Sequence, residues 1–238
     1  MPIDLPTLAQ HFGRQPDRVP PRHLGTRYNQ AGVFQPEAGN TVVCHVAEGS
    51  ATQQALADAR LVFQGMADAA RLAFTPVASY HMTLFQGIIE GRREYPYWPR
   101  DLESDTSIGE MTEQFRQRLA GFAGGPAFQV AVTAVVPTGL RVEGIGAADR
   151  QAMADWRDGF AELLGYRHPD HASYDFHITM AYLIDWIDAD ALPAWQDMLH
   201  AVEADIVQRA PVLELRAPAF CSFADMNWFE ELLVFNPR

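Results

Sequence analysis

The pentapeptide YHMTL at residues 80–84 recurs as FHITM at residues 176–180, and this repeat indicates a duplicated fold. Each copy reads aromatic, His, apolar, Thr, apolar. Because alternate side chains of a β-strand share one face, His81 points with Thr83, and His177 points with Thr179. The pattern predicts two strands that each carry an imidazole and a hydroxyl on a polar face and apolar side chains on a buried one.

The elements around the two copies follow the same order, which is strand, helix, strand, helix, strand. Apolar spacing in the first half predicts strands at 41–46, 79–89 and 128–136 and helices at about 52–73 and 111–122. The second half repeats the order from residue 140, with strands at 140–142 and 175–184, helices at 153–164 and 195–206, and closing strands at 212–215, 219–223 and 231–235. We therefore expect a duplicated fold with lobes at about 41–136 and 137–238. An irregular N-terminal arm is predicted over 1–40, and a polar insert over 90–107.

A pseudo-two-fold axis between the halves would place the two His–Thr pairs on opposite sides of one cleft. Two histidines that flank a small anion are suited to acid–base chemistry at phosphorus, because one removes a proton from the nucleophile and the other protonates the leaving oxygen. The hydroxyls of Thr83 and Thr179 can donate to non-bridging phosphate oxygens. No HExxH or carboxylate-rich pattern accompanies the motifs, so we predict neither a metal nor another cofactor. A single His-x-Thr is better explained as a strand histidine bonded to a backbone carbonyl, and the hypothesis therefore depends on the duplication.

With these two motifs the sequence resembles the 2H phosphoesterase superfamily, which includes RNA 2′,3′-cyclic phosphodiesterases and 2′-5′ RNA ligase-like proteins. The resemblance covers about residues 39–235. The runs GNTVVCH (39–45) and HMTLFQG (81–87) further resemble an uncharacterised bacterial and fungal subgroup. The resemblance implies a bilobal α+β fold in which two antiparallel sheets line a central cleft, with helices outside. It also implies a metal-independent phosphodiesterase with His81, Thr83, His177 and Thr179 in the cleft.

Composition excludes several other mechanisms. The chain has 238 residues and a net charge of −12, and all 18 basic residues are arginine. Without lysine no Schiff base, lysyl-adenylate or P-loop can form. The acidic surface favours a small nucleotide or short oligonucleotide over long RNA. No apolar run is long enough to span a membrane, the N-terminus is unlike a secretion signal, and the two cysteines form no CxxC pair, so we expect a cytoplasmic monomer.

Candidate substrate-binding residues lie in the insert and in the second half. Arg93 and Trp98 combine a cation with an aromatic ring, which suits phosphate contact and base stacking, although a solvated loop anchored by its aromatic residues explains them equally well. Arg141 lies on a predicted strand and could point into the cleft. Tyr182, three positions beyond Thr179, is predicted to face away from the histidines and pack in the core.

Two alternatives to this site remain open. His168, His171 and His177 lie within ten residues together with two aspartates, and a metal site is conceivable there, although a loop leading into the strand is favoured. The predicted function is hydrolysis of a cyclic phosphate or a related phosphodiester of a nucleotide or RNA end. The alternative is a non-catalytic module that binds a nucleotide or an RNA end.

Overall fold

The computed structural model describes residues 2–238 and contains one large antiparallel sheet with helices packed on it. The predicted α+β class is confirmed. The strands are β1 (Gly39–His45), β2 (Leu72–Phe74), β3 (His81–Phe85), β4 (Val130–Val136), β5 (Gly139–Gly144), β6 (His177–Thr179), β7 (Ala181–Leu183), β8 (Ala219–Phe223) and β9 (Glu230–Val234). The helices are α1 (Leu5–Phe12), α2 (Ala51–Gln64), α3 (Ile108–Leu119), α4 (Ala147–Leu164) and α5 (Leu192–Arg209).

The large sheet has seven strands in the order β4-β5-β6-β3-β1-β8-β9. The strands that carry the two repeated motifs, β3 and β6, pair at its centre, with Met82 opposite Ile178. The two predicted sheets are therefore joined into one continuous sheet. Neither side of this sheet comes from one continuous half of the chain. β4, from the first half, pairs with β5 on the side of β6, and β8 and β9, from the second half, lie beyond β1 on the side of β3.

A second, two-stranded sheet also connects the halves. β2 pairs with β7, with Ala73 opposite Tyr182. Sequence periodicity predicted one helix over about 52–73 and one strand over 175–184, and both predictions were too long. Helix α2 ends at Gln64, and residues 72–74 are extended because they pair with β7. The predicted single strand is broken at Met180, so that β6 and β7 belong to different sheets.

Helices begin where side chains can satisfy their free N–H groups. Ser50 accepts from the Gln53 N–H at the start of α2, and Ser107 and Glu110 form a capping box at the start of α3. Helices α3 and α4 pack on β1, β3 and β5, on the face that carries Met82 and Ile178. Burial of that apolar face leaves the opposite face of the central strands open for polar side chains.

The N-terminal arm is more ordered than the predicted irregular segment. It contains α1, which is capped by Asp4 and buries Leu8 and Phe12. The Nε2 atom of His200, on α5, lies 2.7 Å from the carbonyl oxygen of Ile3 and forms a hydrogen bond with it. Further along the arm, Tyr28 is buried and donates a hydrogen bond to the carbonyl of Leu183 in β7. The arm is therefore an integral part of the domain. Within residues 2–238, no helix combines the length and the apolar character needed to cross a membrane.

Candidate active site

The floor of the candidate site is the polar face of β3 and β6. Met82 lies opposite Ile178 in this antiparallel pair. The same register sets His81 opposite Thr179 and His177 opposite Thr83. Side chains of directly opposed residues share a face, and diagonal neighbours lie about 7–8 Å apart at their backbones. The two histidines are therefore diagonal neighbours, each beside the threonine of the other motif.

Both histidines are oriented by the same local hydrogen bond. Each strand follows a 3₁₀ turn, at Val77–Ser79 and at His171–Ser173. His81 Nδ1 lies 2.7 Å from the carbonyl oxygen of Ser79, and His177 Nδ1 lies 2.8 Å from that of Asp175. A carbonyl oxygen only accepts, so Nδ1 carries the proton in both rings. Nε2 is then free either to accept a proton or, when protonated, to donate one.

The surroundings of the two histidines differ. His81 is half-buried, and the centre of its ring lies 4.2 Å from the centre of the Phe229 ring. Burial lowers the pKa of His81 to about 4, and the nearby imidazoles of His45 and His177 act in the same direction. His177 is exposed. His81 is accordingly a neutral imidazole at pH 7.

The strands outside β3 and β6 supply a further neighbour to each histidine. His45 on β1 lies opposite His81, and Arg141 on β5 lies opposite His177. The Nδ1 atom of His45 is 3.0 Å from a carboxylate oxygen of Glu231. Polar side chains on the two flanking strands therefore extend the polar face beyond the two repeated motifs.

Tyr174 supports the threonine of the first motif. Its hydroxyl forms a hydrogen bond with Thr83, and burial raises its pKa. The guanidinium of Arg157, which is buried on α4, stacks on the Tyr174 ring at 4.4 Å and donates to the carbonyl of Leu84 at 2.7 Å. This arrangement holds the Thr83 hydroxyl in a defined position at the floor of the cleft.

A cleft of 510 Å³ lies over this floor. Its walls come from the N-terminal arm, the start of the insert, Tyr174, and the β8–β9 connection with Met226 and Phe229. Three arginines line it, namely Arg22, Arg27 and Arg92, and among the described residues Glu37 is the single acidic one that does so. The cleft thus carries an excess of two positive charges in a protein of net charge −12. Such a local field attracts anions.

The structure brings four of the predicted site residues together in this cleft and leaves three outside it. His81, Thr83, His177 and Thr179 all line it. Trp98 is only 2% exposed, and its indole N–H donates to the carbonyl of Leu102. The Arg93 guanidinium pairs with Glu90 and donates to the carbonyls of Ser104 and Thr106. Their predicted role in substrate binding does not match these positions, because both side chains hold the insert together.

Arg141 occupies an intermediate place. It lies beside His177 in an adjoining cavity of 180 Å³, and its Nε atom is 3.5 Å from a carboxylate oxygen of Asp175. Arg141 therefore neighbours the site without lining the main cleft.

Tyr182 was wrongly predicted to face away from the histidines. The bend at Met180 ends β6, so the alternation of faces does not continue from Thr179 into β7. Tyr182 lines the cleft, where its hydroxyl lies 3.4 Å from Arg27 Nη1. Sequence reasoning also missed Arg22, Arg27 and Tyr174. The clustering of arginines in residues 14–27 was the available signal for the first two.

The conceivable metal cluster in the loop before β6 is not formed. His171 is bonded to Asp158, while His168 is buried beside Tyr97 and Tyr166. Across the described part of the chain, no three His, Cys, Asp or Glu side chains converge in a way that could hold a metal ion.

A larger, open cavity of 840 Å³ lies between the arm and residues 184–189. Its polar groups are largely used in holding the arm. The Arg18 guanidinium stacks on Trp186 at 3.6 Å and donates to backbone carbonyls, and Arg14 pairs with Asp185 and Asp188. No histidine lines this cavity among residues 2–238, whereas both histidines of the repeated motif line the smaller cleft.

Two comparisons relate the chain to other proteins. Residues 27–141 match the family model 2H-phosphodiest, described as a domain of unknown function (DUF1868). The chain is also similar to a solved structure, that of ATU0111, a conserved protein of unknown function from Agrobacterium tumefaciens str. C58. The two chains share 50% sequence identity with a TM-score of 0.91, over 92% of this chain and 94% of that one. No curated protein matches the chain.

Proposed function

The chain belongs to the same family as ATU0111, and from this kinship and its match to the 2H-phosphodiest model we propose that it is a metal-independent phosphoesterase. Its substrate in this proposal is a cyclic phosphate, or a related phosphodiester, of a nucleotide or RNA end. The observation that carries the proposal is the pair of histidines on one sheet face with the same Nδ1-to-carbonyl hydrogen bond. Binding alone does not require two matched proton-transfer groups.

The proposed reaction is an attack of water on the phosphorus of the cyclic ester. His81 Nε2 takes a proton from the water as its oxygen bonds to phosphorus. The bond from phosphorus to one ribose oxygen breaks, and His177 Nε2–H gives its proton to that oxygen. The product is a phosphate monoester with a free neighbouring hydroxyl. The hydroxyls of Thr83 and Thr179 donate to the non-bridging oxygens, which gain negative charge in the transition state.

The roles of the two histidines follow from their surroundings. A general base must be neutral before the reaction, and the pKa of His81 is lowered to about 4 by burial. His177 is exposed beside Asp175 and Arg141 and is assigned the role of the acid.

This assignment predicts the acid side of the pH profile. Protonation of His81 removes the base, so kcat/KM should fall as the pH drops through about 4, whereas an ordinary histidine base would lose activity near 6.5. The measurement is kcat/KM against pH for the wild type and for His23→Gln. The variant is needed because the pKa of His23, in the cleft wall, is also lowered to about 4. An acid limb near 6.5, or one that disappears in His23→Gln, would contradict the assignment of His81.

A substrate panel tests the function itself. Nucleoside 2′,3′-cyclic phosphates, short oligonucleotides with a cyclic end and 2′-5′-linked dinucleotides are incubated with the protein in EDTA, and the products are identified by phosphorus NMR. We expect turnover of at least one class to a single monoester, with no loss on chelation. Tight binding without turnover by the wild type would instead favour the non-catalytic binding module. Activity that is lost in EDTA and restored by a divalent metal would refute metal independence.

Location and assembly remain proposals of the same kind. Cys44 and Cys221 are free and buried, which suits a reducing compartment such as the cytoplasm. We also propose that the protein acts as a monomer, because one chain supplies both histidines and both threonines of the site.

A further inference from the structure

The positive charge of the cleft is concentrated away from the two histidines. His81 lies against Phe229, with 4.2 Å between the ring centres, and 6.0 Å from the ring of His45. Arg27 instead lies over the Tyr182 ring at 5.5 Å, and Arg92 stacks on Tyr97 at 4.0 Å. The arginines therefore form an end of the cleft that is distinct from the acid–base centre.

Two of these three arginines form no ion pair among the described residues. Arg27 is paired with Glu37, with 2.7 Å between Nε and the carboxylate. In the described portion of the chain, neither Arg22 nor Arg92 forms an ion pair or a side-chain hydrogen bond. Arg22 is exposed on the arm and Arg92 is half-buried at the start of the insert. The two segments bring like charges to one wall, which is unfavourable unless an anion lies between them.

Arg92 is held in place by Tyr97 and has an unused hydrogen-bond donor. Its guanidinium stacks on the Tyr97 ring at 4.0 Å, and its buried Nε–H has no hydrogen-bond partner. A buried donor without a partner has a free-energy cost that a bound acceptor removes. Burial is the main cause that lowers the pKa of Arg92, and Arg22 acts in the same direction, while Tyr97 and Asp170 act against it. An anion at this position would stabilise the charged guanidinium.

We infer that the substrate carries a second anionic group, a phosphate remote from the phosphodiester that is cleaved, and that Arg22 and Arg92 bind it. This inference rests on the proposed function, since it assigns a substrate class to the same cleft. Guanidinium groups suit this task because their N–H donors match phosphate oxygens. The substrate would then be a nucleotide with a terminal phosphate in addition to its cyclic phosphate, and the arm and the insert would select it.

The test compares ligands that differ by one phosphate, and it does not depend on turnover. Binding of adenosine 3′-monophosphate and adenosine 3′,5′-bisphosphate is measured by calorimetry on the full chain. A charge-assisted contact contributes about 1.5–3 kcal/mol, so we expect the wild type to bind the bisphosphate about 10- to 150-fold more tightly. The same ratio of kcat/KM is expected for adenosine 2′,3′-cyclic phosphate with and without a 5′-phosphate.

Variants assign the preference to the two arginines. Arg22→Ala with Arg92→Ala should abolish the preference, and the corresponding lysine pair should retain part of it. Arg100→Ala is the matched control, because Arg100 lies in the same insert, stacks on Tyr95 at 3.8 Å and does not line the cleft. Thermal unfolding of each variant checks that it is folded.

The outcomes separate this inference from the proposed function. Equal affinity of the wild type for the two ligands, or no binding of either, overturns the inference. A preference that survives in the double alanine variant also overturns it. Turnover of the cyclic substrate without any preference leaves the phosphoesterase proposal intact. A preference in binding without turnover of any cyclic substrate refutes the hydrolysis but supports the second anion site.

Discussion

Replacing His177 with alanine is expected to lower kcat/KM by about 10²- to 10⁴-fold, the usual effect of removing one acid–base group. The leaving oxygen would then depart without a proton donor. His177 is exposed, and its ring hydrogen bond is to a local carbonyl, so the fold should tolerate the change. The measurement is kcat/KM on the best substrate of the panel, together with thermal unfolding of each protein.

His81→Ala should cause a loss of similar size, because it removes the base. The double variant should be little worse than either single one, since the two groups act in one proton-transfer sequence. His11→Ala is a matched control, because His11 is exposed on α1 and lies outside the cleft. Turnover of His177→Ala at the wild-type rate would refute the assigned acid–base pair.

Trp98→Ala is expected to lower the free energy of unfolding by about 3–5 kcal/mol, as large-to-small changes of buried aromatic residues do. Trp98 is 2% exposed and joins the main core, its N–H is bonded to the carbonyl of Leu102, and Arg93 lies over its ring at 5.2 Å. The change would leave a cavity in the core and an unpaired carbonyl. The free energy of unfolding of a single domain is about 5–15 kcal/mol, so this loss would be a large part of it.

Chemical denaturation at equilibrium measures this effect. Trp228→Ala is the control, because Trp228 is 62% exposed and should change stability by less than about 0.5 kcal/mol. At a temperature where Trp98→Ala is folded, its KM should equal that of the wild type. A variant of normal stability with a raised KM would restore the original hypothesis that Trp98 contacts substrate.

Local sequence patterns were enough to predict the four groups at the floor of the cleft. A strand has a period of two, and His81 and Thr83 must therefore share a face wherever that strand lies in the fold. The same holds for His177 and Thr179. Helix periodicity likewise predicted the buried faces of α3, α4 and α5, because it depends only on residues three and four apart. These are local properties of the chain.

The neighbours of these groups depend on how distant segments of the chain pack together. The pairing of Met82 with Ile178 sets each histidine beside the threonine of the other motif, and nothing in either strand alone specifies it. The bend at Met180 turned Tyr182 towards the cleft, and docking of the arm on β7 brought Arg22 to the same wall as Arg92. Trp98 is the opposite case. Its aromatic ring suited stacking on a ligand, but in the structure the ring is buried in the core. Contacts between residues far apart in the chain depend on how packed elements fit together, and a periodic pattern in one segment carries no information about its distant partner.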